Sequence, residues 1–262
     1  MLIVLQKAFY DGADGTSITE DRCEKYLALL KMTEQMGEIE CNYKEIQNYA
    51  TDINLFPETN NIPSAVRTIV PLLMKFGFII DYDRKTFLAN TFFTKAGKMF
   101  VYILDAIKKN NDRMMPDSVL AQCLNRAKTL TLQLGLINMA SSFPENKIWI
   151  LLYLIKRIGY VNSDIFYYTL SCLQDEKTVD DAIDSINNDF SVTKNDYVKE
   201  DKTSMEPNPF TYRVNVLRDM GLVEQKADRN YYFTEDSDNF LNQLSEKVNP
   251  ELKNQLYISL LL

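Results

Sequence analysis

The chain has 262 residues, 46% of them hydrophobic and 25% charged, with a net charge of −7 and a pI near 4.9. This is the composition of a globular protein with room for two domains, and its acidity argues against one that coats nucleic acid regardless of sequence. It contains no histidine, which excludes Ser-His-Asp and Cys-His catalysis, His-ligated zinc and histidine proton shuttles. No Walker loop and no G-x-G-x-x-G occurs, so a bound nucleotide is not expected. The four cysteines, Cys23, Cys41, Cys123 and Cys172, form no C-x-x-C pair and read as buried thiols of a reduced, intracellular protein.

Taken in chain order, Met1-Leu2-Ile3-Val4-Leu5 is a short apolar segment, a strand or core helix rather than a secretion signal. The stretch Ile148 to Ile155 is the longest apolar run and is too short to span a bilayer, so a cytoplasmic protein is expected. Thr19 is placed to cap a helix through about Gly37, with Cys23, Tyr26, Leu27, Leu30 and Met36 on one face. Asn42 caps a short helix over Tyr43 to Ala50. Pro63 then opens a helix to Phe76 that buries Val66, Ile69, Val70, Leu73 and Phe76. Pro71 inside it is expected to kink it or remove a hydrogen bond. Thr94 opens a helix to about Asn110, and Pro116-Asp117 a connecting helix to about Leu134, ended by Gly135. Ser142 to Asn146 marks a boundary. A core helix follows over Ile148 to Gly159, apolar almost all round. Asn162 or Ser163 caps the next helix and Thr178 another, with Val179, Ile183, Ile186 and Phe190 at helical spacing. Residues 191–206 read as a polar inserted loop.

The pattern with most information is a repeat. Leu73-Met74-Lys75-Phe76-Gly77-Phe78-Ile79 recurs as Leu217-Arg218-Asp219-Met220-Gly221-Leu222-Val223. Each copy ends a helix on a glycine and leads into two short apolar runs around a polar turn. In the first copy the runs are Phe78–Asp81 and Thr86–Ala89 around residues 82–85. In the second they are Leu222–Gln225 and Tyr231–Phe233 around residues 226–230. A threonine, Thr94 or Thr234, then opens a closing helix. This order is that of the recognition helix and wing of a winged-helix module. The expected fold is therefore mainly α with small β-hairpins (α+β), with two winged-helix modules joined by a helical connector. The expected boundaries are 1–112 for the first module, 113–145 for the connector, 146–246 for the second module and 247–262 for an apolar tail.

Two such modules point to double-stranded DNA or a partner protein rather than to a small-molecule substrate. On the second recognition helix Asn208, Thr211, Asn215 and Arg218 share one face, opposite Tyr212, Val216, Leu217 and Met220. Asn to adenine and Arg to guanine are the bidentate pairs a major-groove helix uses, although any surface helix carries polar residues somewhere. The first helix offers Asn60, Asn61, Ser64, Arg67 and Thr68, and its wing Arg84 and Lys85. The second wing adds Lys226 and Arg229. No catalytic residue or metal ligand is assigned. The acid-x-Lys pairs, Glu200 to Lys202 and Glu224 to Lys226, lie in a loop and a wing, and Pro116-Asp117 lies apart. Alone, the chain is expected not to cut DNA.

The run from Ile148 to Gly159 followed by Ser163 to Leu170 resembles the recognition region of AlwI-like type IIS restriction and nicking endonucleases, and so does Arg67 to Gly77 leading to Thr94-Lys95-Ala96-Gly97-Lys98-Met99. The similarity covers most of residues 60–245. It implies a pair of winged-helix subdomains that read an asymmetric site, and a separate C-terminal nuclease domain that would cleave outside it with Mg²⁺. No cofactor is expected within this chain, and this chain departs from the family in ending before any such domain. A different class stays open: acidic tandem winged-helix chains also serve as protein-interaction partners of chromosome-organising ATPases, and a transcription regulator is a third reading.

Overall fold

The structure, a computed structural model, describes residues 3–5, 20–82, 85–143, 146–189, 197–199 and 209–247. It is mainly helical with small two-stranded sheets, an α+β architecture. Two compact units divide the chain. One is Gly15–Ser142, the other Phe143–Leu262 together with Met1–Asp14. The break falls in the expected boundary stretch. Residues 113–145, expected as a helical connector, fall largely in the N-terminal unit, where the long helix they form packs along its neighbours.

The N-terminal unit runs α1 (Glu20–Met36), β2 (Glu40–Cys41), α2 (Tyr43–Asp52), α3 (Ile62–Lys75), β3 (Phe87–Leu88), α4 (Lys95–Asn111) and α5 (Ser118–Ser142), with β1 reserved for the strand Ile3–Leu5 of the other unit. Local chemistry starts α2 and α3. Asn42 accepts from the Glu45 amide at 3.1 Å while the Glu45 carboxylate accepts from the Asn42 amide at 2.7 Å, a complete capping box. Asn61 accepts from the Ser64 amide at 3.0 Å, with Pro63 in the first turn of α3. Replacing Asn42 with Ala removes one half of the box and should cost about 1 kcal/mol. Urea unfolding of the variant reads it, and an unchanged midpoint would contradict the cap assignment.

The buried core of this unit comprises Val66, Ile69, Val70, Leu72 and Leu73 of α3 with Phe76 just after it, Tyr26, Leu29 and Leu30 of α1, Ile46 and Ala50 of α2, and Phe100 and Leu104 of α4, with α3 packing on α2 and α5 and α4 on α1 and α5. The helix α3 runs unbroken through Pro71. Two expectations are corrected here. Phe87–Leu88 does not pair with the run after Gly77; β3 pairs antiparallel with β2, Cys41 opposite Phe87. The run after Gly77 instead bridges Ile79 to Phe93, and the Ile80 amide donates to the Phe92 carbonyl at 3.0 Å. Gly135 does not end a helix either. The helix α5 passes straight through it, and a Cβ there would lie 2.8 Å from Cβ of Phe76, so the glycine permits close packing on the end of α3.

The C-terminal unit runs α6 (Ile148–Ile158), α7 (Ser163–Gln174), α8 (Val179–Asp189), β4 (Tyr197–Lys199), α9 (Pro209–Asp219), β5 (Val223–Gln225), β6 (Tyr231–Phe233) and α10 (Ser237–Lys247). Every residue from Ile148 to Ile155 is buried, so α6 is the central core helix that its all-round apolar sequence predicts. Gly159, at φ +93°, ends it, and Asn162 caps α7 through the Ile165 amide at 3.0 Å. The strand β1 (Ile3–Leu5) pairs parallel with β4 and packs against α7. The inserted segment therefore holds a strand that its polar composition hides. Phe190, the rest of that segment and the apolar tail lie outside the described residues. Cys41 and Cys172 are buried thiols as expected, whereas Cys123 is exposed. No described helix is long and apolar enough to cross a membrane.

Candidate functional site

The repeat read in the sequence is also a repeat of hydrogen bonds. Gly77 (φ +73°) and Gly221 (φ +68°) each close a helix in the same way. The Phe78 amide donates to the Leu73 carbonyl at 2.8 Å and the Gly77 amide to Met74 at 2.8 Å. The Leu222 amide donates to Leu217 at 3.0 Å and the Gly221 amide to Arg218 at 2.9 Å. These paired bonds satisfy the last carbonyls of α3 and α9 and turn the chain sharply. A threonine then locks the return. Thr94 Oγ1 donates to the Gly77 carbonyl at 2.8 Å, and Thr234 Oγ1 to the Gly221 carbonyl at 2.6 Å. The Thr94 amide reaches the Phe78 carbonyl at 3.0 Å and the Thr234 amide the Leu222 carbonyl at 3.2 Å. Upstream, Cys41 faces Phe87 as Val161 faces Tyr231.

With the glycines aligned, Arg67, Pro71 and Met74 on α3 occupy the places of Thr211, Asn215 and Arg218 on α9, and none of the six is buried. The two sets lie on equivalent faces outside the core. Arg67, Thr68, Thr211 and Arg218 are exposed, and Ser64 and Asn215 are half-buried. Asn60 is exposed in the loop before α3. Asn61 is exposed but spends its carbonyl oxygen on capping, and the Thr68 hydroxyl donates to the Ser64 carbonyl at 2.8 Å. Asn208 and Arg84 lie outside the described residues. Arg213, which the pattern left unassigned, is buried at 2% exposure.

The hairpin tips differ. Lys85 is exposed and salt-bridged to Asp81. In the second unit the tip is held by its own side chains. Tyr232 Oη donates to Asp228 Oδ2 at 2.5 Å, and Asn230 Nδ2 to the same carboxylate at 3.1 Å. The Tyr232 hydroxyl bond and the Asn230 amide hold the Asp228 carboxyl below its usual range. Asn162 Nδ2 ties the tip back to the start of α7 through Asn230 Oδ1 at 3.0 Å. Arg229 adopts φ +66°, and its carbonyl accepts from Gln225 Nε2 at 3.1 Å. Lys226 sits 3.8 Å from Glu224 and its Nζ lies 4.5 Å from the Tyr232 ring centroid. Glu224 is thus an exposed ion-pair partner on the hairpin, and Asp117 caps α5 by accepting from the Val119 and Leu120 amides, both at 2.9 Å. Among the described residues, no group of three or more acidic or cysteine side chains is placed to hold a metal ion. Glu200 and Lys202 lie outside the described residues.

An aromatic pair stands here in each unit. Tyr43 stacks on Tyr82 with centroids 4.1 Å apart and planes 24° apart, and Phe92 backs the pair. Burial, and then Tyr82, push the Tyr43 phenol well above its usual range, with nearby Arg67 opposing. In the other unit Tyr160 and Tyr232 approach to 5.9 Å. Each pair joins a residue near the start of the second helix to one in the hairpin, a contact no local sequence window contains. No protein-family model matches the chain, and no curated protein or solved structure does.

Lys226 distinguishes phosphate attraction from base reading. If the tip meets phosphate, Lys226→Ala should weaken all duplexes about equally and lower the slope of log affinity against log salt by about 1. An unchanged slope would remove Lys226 from the interface.

Proposed function

We propose that the chain recognises double-stranded DNA by sequence, with α3 and α9 as recognition helices of two winged-helix modules and the hairpins as wings. The supporting observation is the doubled helix–glycine–threonine lock, in which the chain leaving each glycine bridges back antiparallel just before the threonine (Ile79 to Phe93, Val223 to Phe233) and equivalent faces of α3 and α9 lie outside the core. The two faces carry different residues, Arg67 on one and Thr211, Asn215 and Arg218 on the other, which suits an asymmetric site better than a palindrome. By the resemblance noted above, this is the work of the recognition part of a type IIS restriction endonuclease whose Mg²⁺-dependent cleavage belongs to a separate domain. The test is fluorescence anisotropy with a randomised duplex pool followed by rounds of selection. The reading expects a single consensus to emerge and its affinity to fall steeply with salt. A pool that stays random after selection would overturn it.

A second reading, an acidic module that docks on a protein, is favoured by one specific feature. Both hairpin lysines are neutralised in place, Lys85 by Asp81 and Lys226 by Glu224, in a chain of net charge −7. Such paired charges attract phosphate less than free ones. Selection separates the two readings, because the second expects no consensus.

A further inference from the structure

The hairpin between β5 and β6 carries an arginine where its turn favours glycine. The Lys226 amide donates to the Asn230 carbonyl at 3.0 Å and the Arg229 amide to the Lys226 carbonyl at 2.9 Å, so Ala227, Asp228 and Arg229 alone make the turn. In a three-residue loop of this kind the last residue takes the left-handed conformation, which glycine adopts without strain. Here that residue is Arg229, at φ +66°. A side chain held against such strain costs stability, and strain of this kind collects at functional sites. Arg229 is exposed, and among the described residues no carboxylate pairs with its guanidinium. We propose that Arg229 enters the minor groove beside the base pairs read by α9 and selects an A·T-rich flank by the width of that groove. The inference rests on the DNA reading above and adds a second kind of readout to it.

Three observations favour a groove over a phosphate as the target. The first is rigidity. Asp228 accepts from Tyr232 Oη at 2.5 Å, from Asn230 Nδ2 at 3.1 Å and from the Asn230 amide at 3.0 Å. Asn162 Nδ2 ties Asn230 to the start of α7 at 3.0 Å, and Gln225 Nε2 donates to the Arg229 carbonyl at 3.1 Å. Tyr232 is the hub, with Tyr160 at 5.9 Å on its ring and Lys226 Nζ at 4.5 Å. Phosphate attraction is long-range and needs no such fixed geometry, whereas entry into a slot does. The second is charge. Glu224 and Asp228 balance Lys226 and Arg229, so the tip has no net charge to draw it to the backbone. The third is shape. The minor groove is about 6 Å wide and narrows further in A-tracts, where its negative potential deepens and attracts an inserted arginine. A guanidinium is also more weakly hydrated than an ammonium, so it sheds water more readily on entry.

The test uses the full chain and the duplex it selects, with the consensus kept and the flanking base pairs set to an A-tract or to G·C on each side in turn. Fluorescence anisotropy of the unaltered chain should favour the A-tract on one side by about fivefold or more, the range of one base-pair preference. Arg229→Gly should erase that preference while its urea midpoint does not fall, because glycine relieves the left-handed residue. Arg229→Lys keeps the charge without the planar guanidinium and should restore less of the preference than of the overall affinity. Tyr232→Phe removes the hydroxyl that holds Asp228 and should reduce the preference without altering the consensus, which marks Tyr232 as a positioning residue. A consensus with no flank preference, or a preference that survives Arg229→Gly, would overturn this inference and leave the DNA reading standing. So would a fall in the urea midpoint of Arg229→Gly, which would make the arginine structural. Failure of the unaltered chain to select any consensus would overturn both.

Discussion

Replacing Arg218 or Asn215 with Ala should each weaken binding to the selected duplex by about 1–3 kcal/mol while binding to random duplex changes far less. A guanidinium fork or a carboxamide that reads a base edge makes two directed hydrogen bonds that only one base pair satisfies, so its removal erases discrimination at that position. Arg218 is exposed at the last turn of α9, and Asn215 is half-buried one turn earlier on the same face. The core contacts of α9 run through Val214, Val216, Leu217 and Met220, all buried, so Arg218→Ala should leave thermal stability within about 0.5 kcal/mol. Equal losses on selected and random duplex would reassign Arg218 from base reading to phosphate contact. Unchanged binding in both variants would move the function to the protein-docking reading.

Gly97→Ala should destabilise the N-terminal unit by about 3 kcal/mol, from a single methyl group. Gly97 lies in the first turn of α4, where Thr94 Oγ1 accepts from its amide at 3.1 Å. A Cβ there would stand 1.9 Å from the Phe78 carbonyl oxygen and 2.7 Å from its carbon. These are backbone atoms, the oxygen already accepting from the Thr94 amide, and they cannot turn aside as a side chain would. The helix would have to lift off the run after Gly77, opening the lock that fixes the first hairpin to α3. Gly37→Ala provides the comparison. No atom lies within 4 Å of its added Cβ, and only the φ of +66° opposes it, a cost nearer 1 kcal/mol. Urea unfolding that ranks the two variants equally, or places Gly37→Ala lower in stability, would contradict the close approach at Gly97.

What was legible in the sequence was what short-range chemistry decides. Asn42 and Thr94 start helices because their side chains reach an amide three residues on. Gly77 and Gly221 end helices because only glycine adopts their backbone conformation without strain. The core stripe of α3 followed from its period. The errors fall where distance or packing decides. Nothing near Phe87 announces that it pairs with Cys41 rather than with the run after Gly77. Nothing in the polar segment announces that Tyr197 pairs with Ile3. Gly135 has the local signature of a helix end, and only the Phe76 ring against it shows why glycine stands within α5. At the candidate site, periodicity found the exposed Arg67, Thr211 and Arg218. It missed the stacked Tyr43 and Tyr82, which α2 and the hairpin bring together from distant positions.

The central claim is that α3 and α9 each read different base pairs of one site. The direct measurement is parallel selection from the same randomised duplex pool with the unaltered chain, Arg67→Ala and Arg218→Ala, followed by sequencing of the bound fraction. The account predicts one asymmetric consensus for the unaltered chain, with Arg67→Ala blurring one part of it and Arg218→Ala the other. A consensus left intact in both variants, or none for the unaltered chain, would contradict it.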